Sequence, residues 1–308
     1  MNPCRHRHAR LWPALFGLAS ALACAAPAGA APRVVASIAP IHSLTAEVMR
    51  GLGEPRLLLP VGASPHTYQM RPSDAEALSG ADLVVWVGPG LERFLDKPLR
   101  ALAGRGDRLT LSETSGLRLL PARPPGPFEA AHEDDGHGPS DPHIWLDAAN
   151  AALLARALAD RLAALDPENG PAYRANADRL ATALAALDGE LKARLAGLAH
   201  RPIVVFHDAY RYFEEAYDLN VVAAVTVSPS RLPSAHRLEE LRGLIARSGA
   251  VCLFVEPQFE PRFVAILADG LPVRTGTLDP LGTDHVPGPE LYGELMRDIA
   301  RNLASCLG

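Results

Sequence analysis

The sequence of 308 residues predicts an α/β protein of two parallel-sheet lobes. Three observations predict it. Short apolar runs alternate with helical patterns over residues 33–111; the same alternation resumes at residue 202; and an unbroken helical stretch lies between them. Two parallel strands need a crossover connection long enough to hold a helix, so such alternation reads as βαβ units on a parallel sheet.

In the first alternation "RVVASI" is strand-like, residues 41–52 are helical and end at Gly53, and "PRLLLPV" is strand-like again. A helix begins at Pro72, with Ser73 and Asp74 in its first turn, where an acid suits the helix dipole. "DLVVWVG" is a continuous apolar run of the kind buried on both faces of a sheet. Residues 91–102 follow as a helix and "DRLTL" as a strand. Residues 113–142 break the pattern: this acidic loop, rich in Pro and Gly, carries His132 and His137 beside Glu133, Asp134 and Asp135.

Residues 147–199 are helical. Asp147 can cap the first helix, which ends before Pro167; Asn169 can cap the second, with Pro171 in its first turn. Tyr173, Leu180, Leu184, Leu187, Leu191, Leu195 and Leu198 form one apolar stripe along the second helix, 170–197. At 1.5 Å per residue that helix is about 40 Å long. It either bridges two lobes as a rod or lies along the face of one. Beyond it the sequence reads as strand "PIVVF", helix 210–217, strand "LNVVAAV", helix 234–247, strand "VCLFV", helix 262–268, strand "PVRTG" and a last helix 292–307. The expected organisation is a targeting segment over 1–31, a first lobe over 32–147 with the acidic loop at 113–142, connecting helices over 148–200, and a second lobe over 201–308.

Composition narrows the function. With 48% hydrophobic and 21% charged residues the chain is ordinary globular material, long enough for two domains. The formal charge of −5, with no basic block beyond the N-terminus, argues against a nucleic-acid surface. Arg5, Arg7 and Arg10 precede the apolar "LWPALFGLASALACAA" and the small-residue "APAGAA", which together read as a cleaved export signal. A membrane anchor is the alternative, but the apolar run contains Pro13 and is short for a span. Cys24 is a poor lipid attachment site, because Leu22 lies one position late for that motif. Cys252 and Cys306 remain after cleavage, an even pair in an oxidising compartment. A disulfide is the default expectation and two buried thiols the alternative.

Three histidines stand where open parallel sheets place ligands, beyond the carboxyl ends of strands or at the end of the acidic loop. His207 follows "PIVVF", His66 lies a few residues past "LLLPV", and His143 opens "HIWLD". Asp279 follows "PVRTGTL". Alone, each histidine is most simply a hydrogen-bonded loop residue and Asp279 a turn residue. Together they form a zinc-type set, since zinc takes nitrogen ligands at about 2.0–2.1 Å in fourfold coordination. No close pair such as HxxxH is present, so only the fold could assemble them. Asp208 and Glu256 are candidates to orient imidazole N–H groups.

The motifs "GASPHTYQMRPSD", "ADLVVWVGPGLERFLDKPL", "HIWLD", "VFHDAYRYFEEAYDL", "EPQF" and "TGTLDPLGTD" together resemble the zinc-binding periplasmic component of ABC zinc importers, the ZnuA-type members of the cluster A-I solute-binding family. The resemblance covers roughly residues 33–307. It implies two α/β lobes joined by one long helix, with zinc between them, and a monomer that hands zinc to a membrane permease. By motif position it makes His66, His143 and His207 the metal histidines, puts Asp279 where many members place a carboxylate ligand, and matches Cys252 and Cys306 to a cysteine pair. Two departures stand out. Pro65 occupies a position where close relatives can carry a metal-binding Glu, leaving Asp279 or water as fourth ligand. The acidic loop keeps only two histidines, so His132 and His137 make at most a weaker second site. Three nitrogens favour zinc over manganese, which is harder and prefers oxygen. The alternatives are a manganese- or iron-type member of the same family, a zinc hydrolase with Asp208 as its base, and a surface adhesin of the wider family.

Overall fold

The computed structural model describes residues 30–101, 106–123, 127–128, 140–226, 233–259 and 262–308. Most of the expected signal segment, with Cys24, and the loop residues His132 and His137 lie outside the described residues.

Two four-stranded parallel sheets organise the chain. The first contains β1 (Val34–Ala36), β2 (Arg56–Leu57), β3 (Leu83–Trp86) and β4 (Asp107–Thr110), in the order β2-β1-β3-β4. Their crossovers carry α1 (Ala39–Val48), α2 (Pro72–Gly80) and α3 (Arg93–Ala101). After them come the paired helices α4 (Ala148–Leu165) and α5 (Gly170–Leu195). The second sheet contains β5 (Pro202–His207), β6 (Asn220–Thr226), β7 (Cys252–Val255) and β8 (Arg274–Thr277), in the order β6-β5-β7-β8. Its helices are α6 (Arg211–Tyr217), α7 (Ala235–Ser248), α8 (Arg262–Ala268) and α9 (Leu291–Leu307).

Strand burial follows the two-residue period. Val34, Ala36, Leu83 and Val85 face one core, while Val35, Val84 and Trp86 face the other with Leu78, Leu95 and Leu99 of α2 and α3. In the second sheet Ile203 and Val205 join the shared core, and Val204 and Phe206 pack with Leu241, Ile245, Val264 and Leu267 of α7 and α8. That shared core runs through both lobes along α5, whose Tyr173, Leu184, Leu187, Leu191 and Leu195 are buried in it. Its 26 residues reach about 39 Å. Along that length α5 packs on α4 and α1 and also on α9 and α6, so the rod serves both lobes.

Where elements are shorter than the sequence suggests, local chemistry accounts for it. "PRLLLPV" forms two residues of regular strand, although its ladder continues through Leu58 and Leu59, whose N–H groups donate to Ala36 and Ser37 at 2.9 and 3.0 Å. Pro60 has no N–H to extend it. α1 ends at Val48, ahead of Gly51 at φ +78°, a backbone conformation that suits glycine. Cys252 of β7 and Cys306 of α9 form a disulfide with their Cα atoms 6.2 Å apart.

Candidate metal centre

The carboxyl ends of both sheets supply the site. His207 is the last residue of β5 and 2% exposed. His143 sits at the start of the 3-10 turn Ile144–Leu146 and is 3% exposed. His66 lies in the loop beyond the β2 ladder, where its N–H meets Ser64 Oγ at 3.3 Å, and it is partly exposed. The structure brings these three together: one ligand nitrogen from each falls within 4.8 Å of the other two. Their ring centroids are 5.2–5.6 Å apart.

Carboxylates fix the aim of two of the rings. Asp141 Oδ1 accepts from His143 Nδ1 at 2.7 Å and from its backbone N–H at 2.9 Å. Both Glu256 oxygens accept from His207 Nδ1, at 2.6 and 2.7 Å. A neutral imidazole has one donor and one acceptor nitrogen, so Nδ1 carries the proton in each and Nε2 holds a lone pair. The two Nε2 atoms face each other at 3.3 Å. Two unprotonated acceptors at that distance repel unless a shared proton or a metal ion lies between them. On a tetrahedral zinc with Zn–N bonds of about 2.05 Å, two nitrogens stand about 3.3 Å apart. Burial pushes the Glu256 carboxyl upward in pKa, and the charge and hydrogen bonds of His207 oppose that shift.

Asp208 does not reach an imidazole. Its Oδ1 accepts from Arg123 Nε at 3.0 Å, and Arg123 also pairs with Glu214. Burial raises the Asp208 pKa to about 6 against the pull of Arg123. Among the described residues the group of metal-ligand atoms consists of the three histidines, without Asp279. Its Oδ1 accepts from Leu281 N at 2.9 Å and from Gln258 Nε2 at 2.6 Å, and its Oδ2 from Thr283 N, so its own turn and Gln258 occupy the carboxylate. Asp141 escaped the sequence reading, although an acid two residues before a histidine in "SDPH" is the available signal. Gln258 escaped it too; its place in "EPQF", after Glu256, was the only hint.

The cavity at the histidines holds about 10 Å³, room for one water-sized body. Pro65, Leu91, Trp145, Phe259, Pro280 and Leu281 contribute to its lining. Trp145 Nε1 donates to Pro280 O at 2.9 Å, bracing the floor across the lobes.

Fold and site together define a two-lobed α/β protein with a three-histidine centre supplied by the carboxyl ends of both sheets. The chain belongs to the periplasmic family of zinc-uptake complex component A, whose model matches residues 34–306. It is 39% identical to the high-affinity zinc uptake system protein ZnuA of Brucella abortus, over 91% of this chain and 93% of that protein. It is 40% identical to the ZnuA of Paracoccus denitrificans, over 96% and 98%. Among solved structures, a crystal structure of ZnuA superposes with a TM-score of 0.77 at 26% identity, covering 90% of this chain and 100% of that one. A zinc-bound ZnuA deletion mutant superposes at 0.76 with 27% identity, covering 90% and 98%.

Proposed function

We propose that this protein captures Zn²⁺ in the periplasm through His66, His143 and His207 and delivers it to the permease of an ABC-type importer. The observation that carries the reading is the convergence of three histidine nitrogens within 4.8 Å of one another, two of them Nε2 atoms 3.3 Å apart and each backed by a carboxylate on its Nδ1. That spacing is the nitrogen–nitrogen edge of a zinc tetrahedron. Three nitrogen donors favour zinc over manganese. Relatives named for high-affinity zinc uptake support the same cargo.

Residues 1–31 act as a cleaved export signal in this reading, 32–147 and 201–308 are the two lobes, and the mature chain is a monomer. His132 and His137 make a weaker second site. Transport fits the cavity better than hydrolysis does: about 10 Å³ leaves no room for an organic substrate, and Asp208, the candidate base, is held by Arg123.

Calorimetric zinc titration of the mature chain tests the reading. One tight equivalent is expected, with His66→Ala, His143→Ala and His207→Ala each weakening it about tenfold or more, because a whole metal–ligand bond is lost. Unchanged curves in all three variants would refute the assignment. Affinity should fall as the solution is acidified, since zinc binds only unprotonated imidazole nitrogen.

A further inference from the structure

Gln258 lies two residues past Glu256, in the turn after β7, and lines the cavity at the three histidines. Its amide nitrogen donates to Asp279 Oδ1 at 2.6 Å and to Thr283 Oγ1 at 2.8 Å. An ionised carboxylate can only accept, so the nitrogen end must face Asp279 and the identity of the other end follows. That other end, Oε1, is buried and has no hydrogen-bond partner among the described residues. A buried acceptor without a donor is destabilising and in a native protein points to a ligand or a mechanism.

Asp279 is the second half of the observation. Two of its three donors, Leu281 N and Thr283 N, come from its own turn, which closes through Gly282 at φ +74°. The third donor, Gln258, is the only side chain in the set and comes from 21 positions away. The charge of Asp279 is felt at Glu256, which holds His207, while the ligand group found among the described residues does not include Asp279.

We infer that Gln258 sets the fourth coordination position: its amide N–H holds Asp279 off the metal, and its carbonyl oxygen accepts a hydrogen bond from a metal-bound water. This rests on the three-histidine reading above. The metal then meets three imidazoles and one neutral oxygen. Releasing Asp279 would replace that water by an anionic oxygen, which suits harder cations such as Mn²⁺ better than the present set does. Gln258 is thus a positioning residue that tunes metal selectivity.

Cobalt(II) provides the test, because a metal-bound water ionises near neutral pH whereas a carboxylate ligand does not. Full-length mature chain loaded with Co²⁺ would be followed by visible absorption from pH 6 to 9, and Zn²⁺ and Mn²⁺ affinities would be compared by competition. In the wild type the cobalt spectrum should change with pH, and Asp279→Asn should keep that change. Gln258→Leu should abolish it and raise Mn²⁺ affinity relative to Zn²⁺ by about tenfold. The double variant Gln258→Leu, Asp279→Asn should restore wild-type behaviour.

Two results would overturn the proposal: a Gln258→Leu protein that matches wild type in both readouts, or an Asp279→Asn protein that loses the pH-dependent spectrum while Gln258 is intact. The second decides the question even where Gln258→Leu fails to fold. A cobalt band that survives both His143→Ala and His207→Ala would instead sink the underlying histidine site, so the two failures are distinguishable.

Discussion

A carboxylate behind an imidazole fixes which nitrogen carries the proton and where the other one points. Glu256 does this for His207 and Asp141 for His143, from fully and nearly fully buried positions. Glu256→Gln can still accept at Nδ1 but loses the charge that raises ring basicity. It should weaken zinc about 10–100-fold while leaving the fold intact, as read by zinc titration beside circular dichroism. Unchanged affinity would mean that the carboxylate only fills space. Glu92 shows a different consequence of burial. It is fully buried, with Ser37 Oγ at 2.5 Å and the backbone N–H groups of Val87 and Gly88 at 3.1 and 2.9 Å, and burial raises its pKa to about 7. The unfolded chain releases this proton near pH 4.5, the folded protein only near 7. Between those values the folded state binds more protons, so this group's contribution to stability falls as pH rises. Urea melts at pH 5 and pH 8 should therefore show a steeper loss in the wild type than in Glu92→Gln, by a few kcal/mol. Equal losses would contradict the assignment.

At the scale of elements, the buried strands are the most legible part of the chain. β1, β3 and β5 are continuous apolar runs because helices cover both sheet faces. β8 is mostly exposed along "RTGT" and starts two residues later than "PVRTG" suggests, since its pairing with β7 begins at Arg274. The histidines were legible for a related reason: parallel strands all deliver their carboxyl ends to one side. The environment of Asp279 was not, because it depends on Gln258, and nothing in the strand pattern foretells that contact. The partner of Asp208 was not legible either, since Arg123 lies 85 positions earlier. The disulfide between β7 and α9 belongs to this scale as well. It closes a loop across 54 positions and ties the last helix to the first residue of β7 in the second sheet. Cys252→Ser with Cys306→Ser should lower stability by roughly 2–4 kcal/mol and depress Tm by several degrees. Zinc affinity should be unchanged in the same protein. A loss of binding comparable to a histidine variant would mean that the disulfide also positions the site.

For the whole molecule, the acidic segment is fastened at both ends to the second lobe. Leu120 N donates to Tyr212 Oη at 3.0 Å, and Tyr212 Oη donates to the carbonyl of Asp141 at 3.0 Å. Arg211 holds the carbonyl of Pro121, and Arg123 pairs with Asp208 and Glu214. Pro121 and Ser140 form an antiparallel bridge, so the two ends of the segment meet beside α6. Tyr212 is fully buried and belongs to α6, so the chain that delivers Asp141 and His143 is anchored independently of residues 129–138. Deleting those ten residues removes His132 and His137 but none of these anchors. Zinc titration of the deletion protein should keep the tight equivalent and lose only a weaker second phase. Because a ligand that binds only the folded state stabilises it by RT ln(1 + [L]/Kd), zinc at a hundredfold excess over Kd should add about 2.7 kcal/mol to wild type and deletion protein alike. A deletion protein that binds no zinc tightly, or gains no thermal stability from it, would place a primary ligand inside 129–138 and overturn the division between the buried centre and the loop.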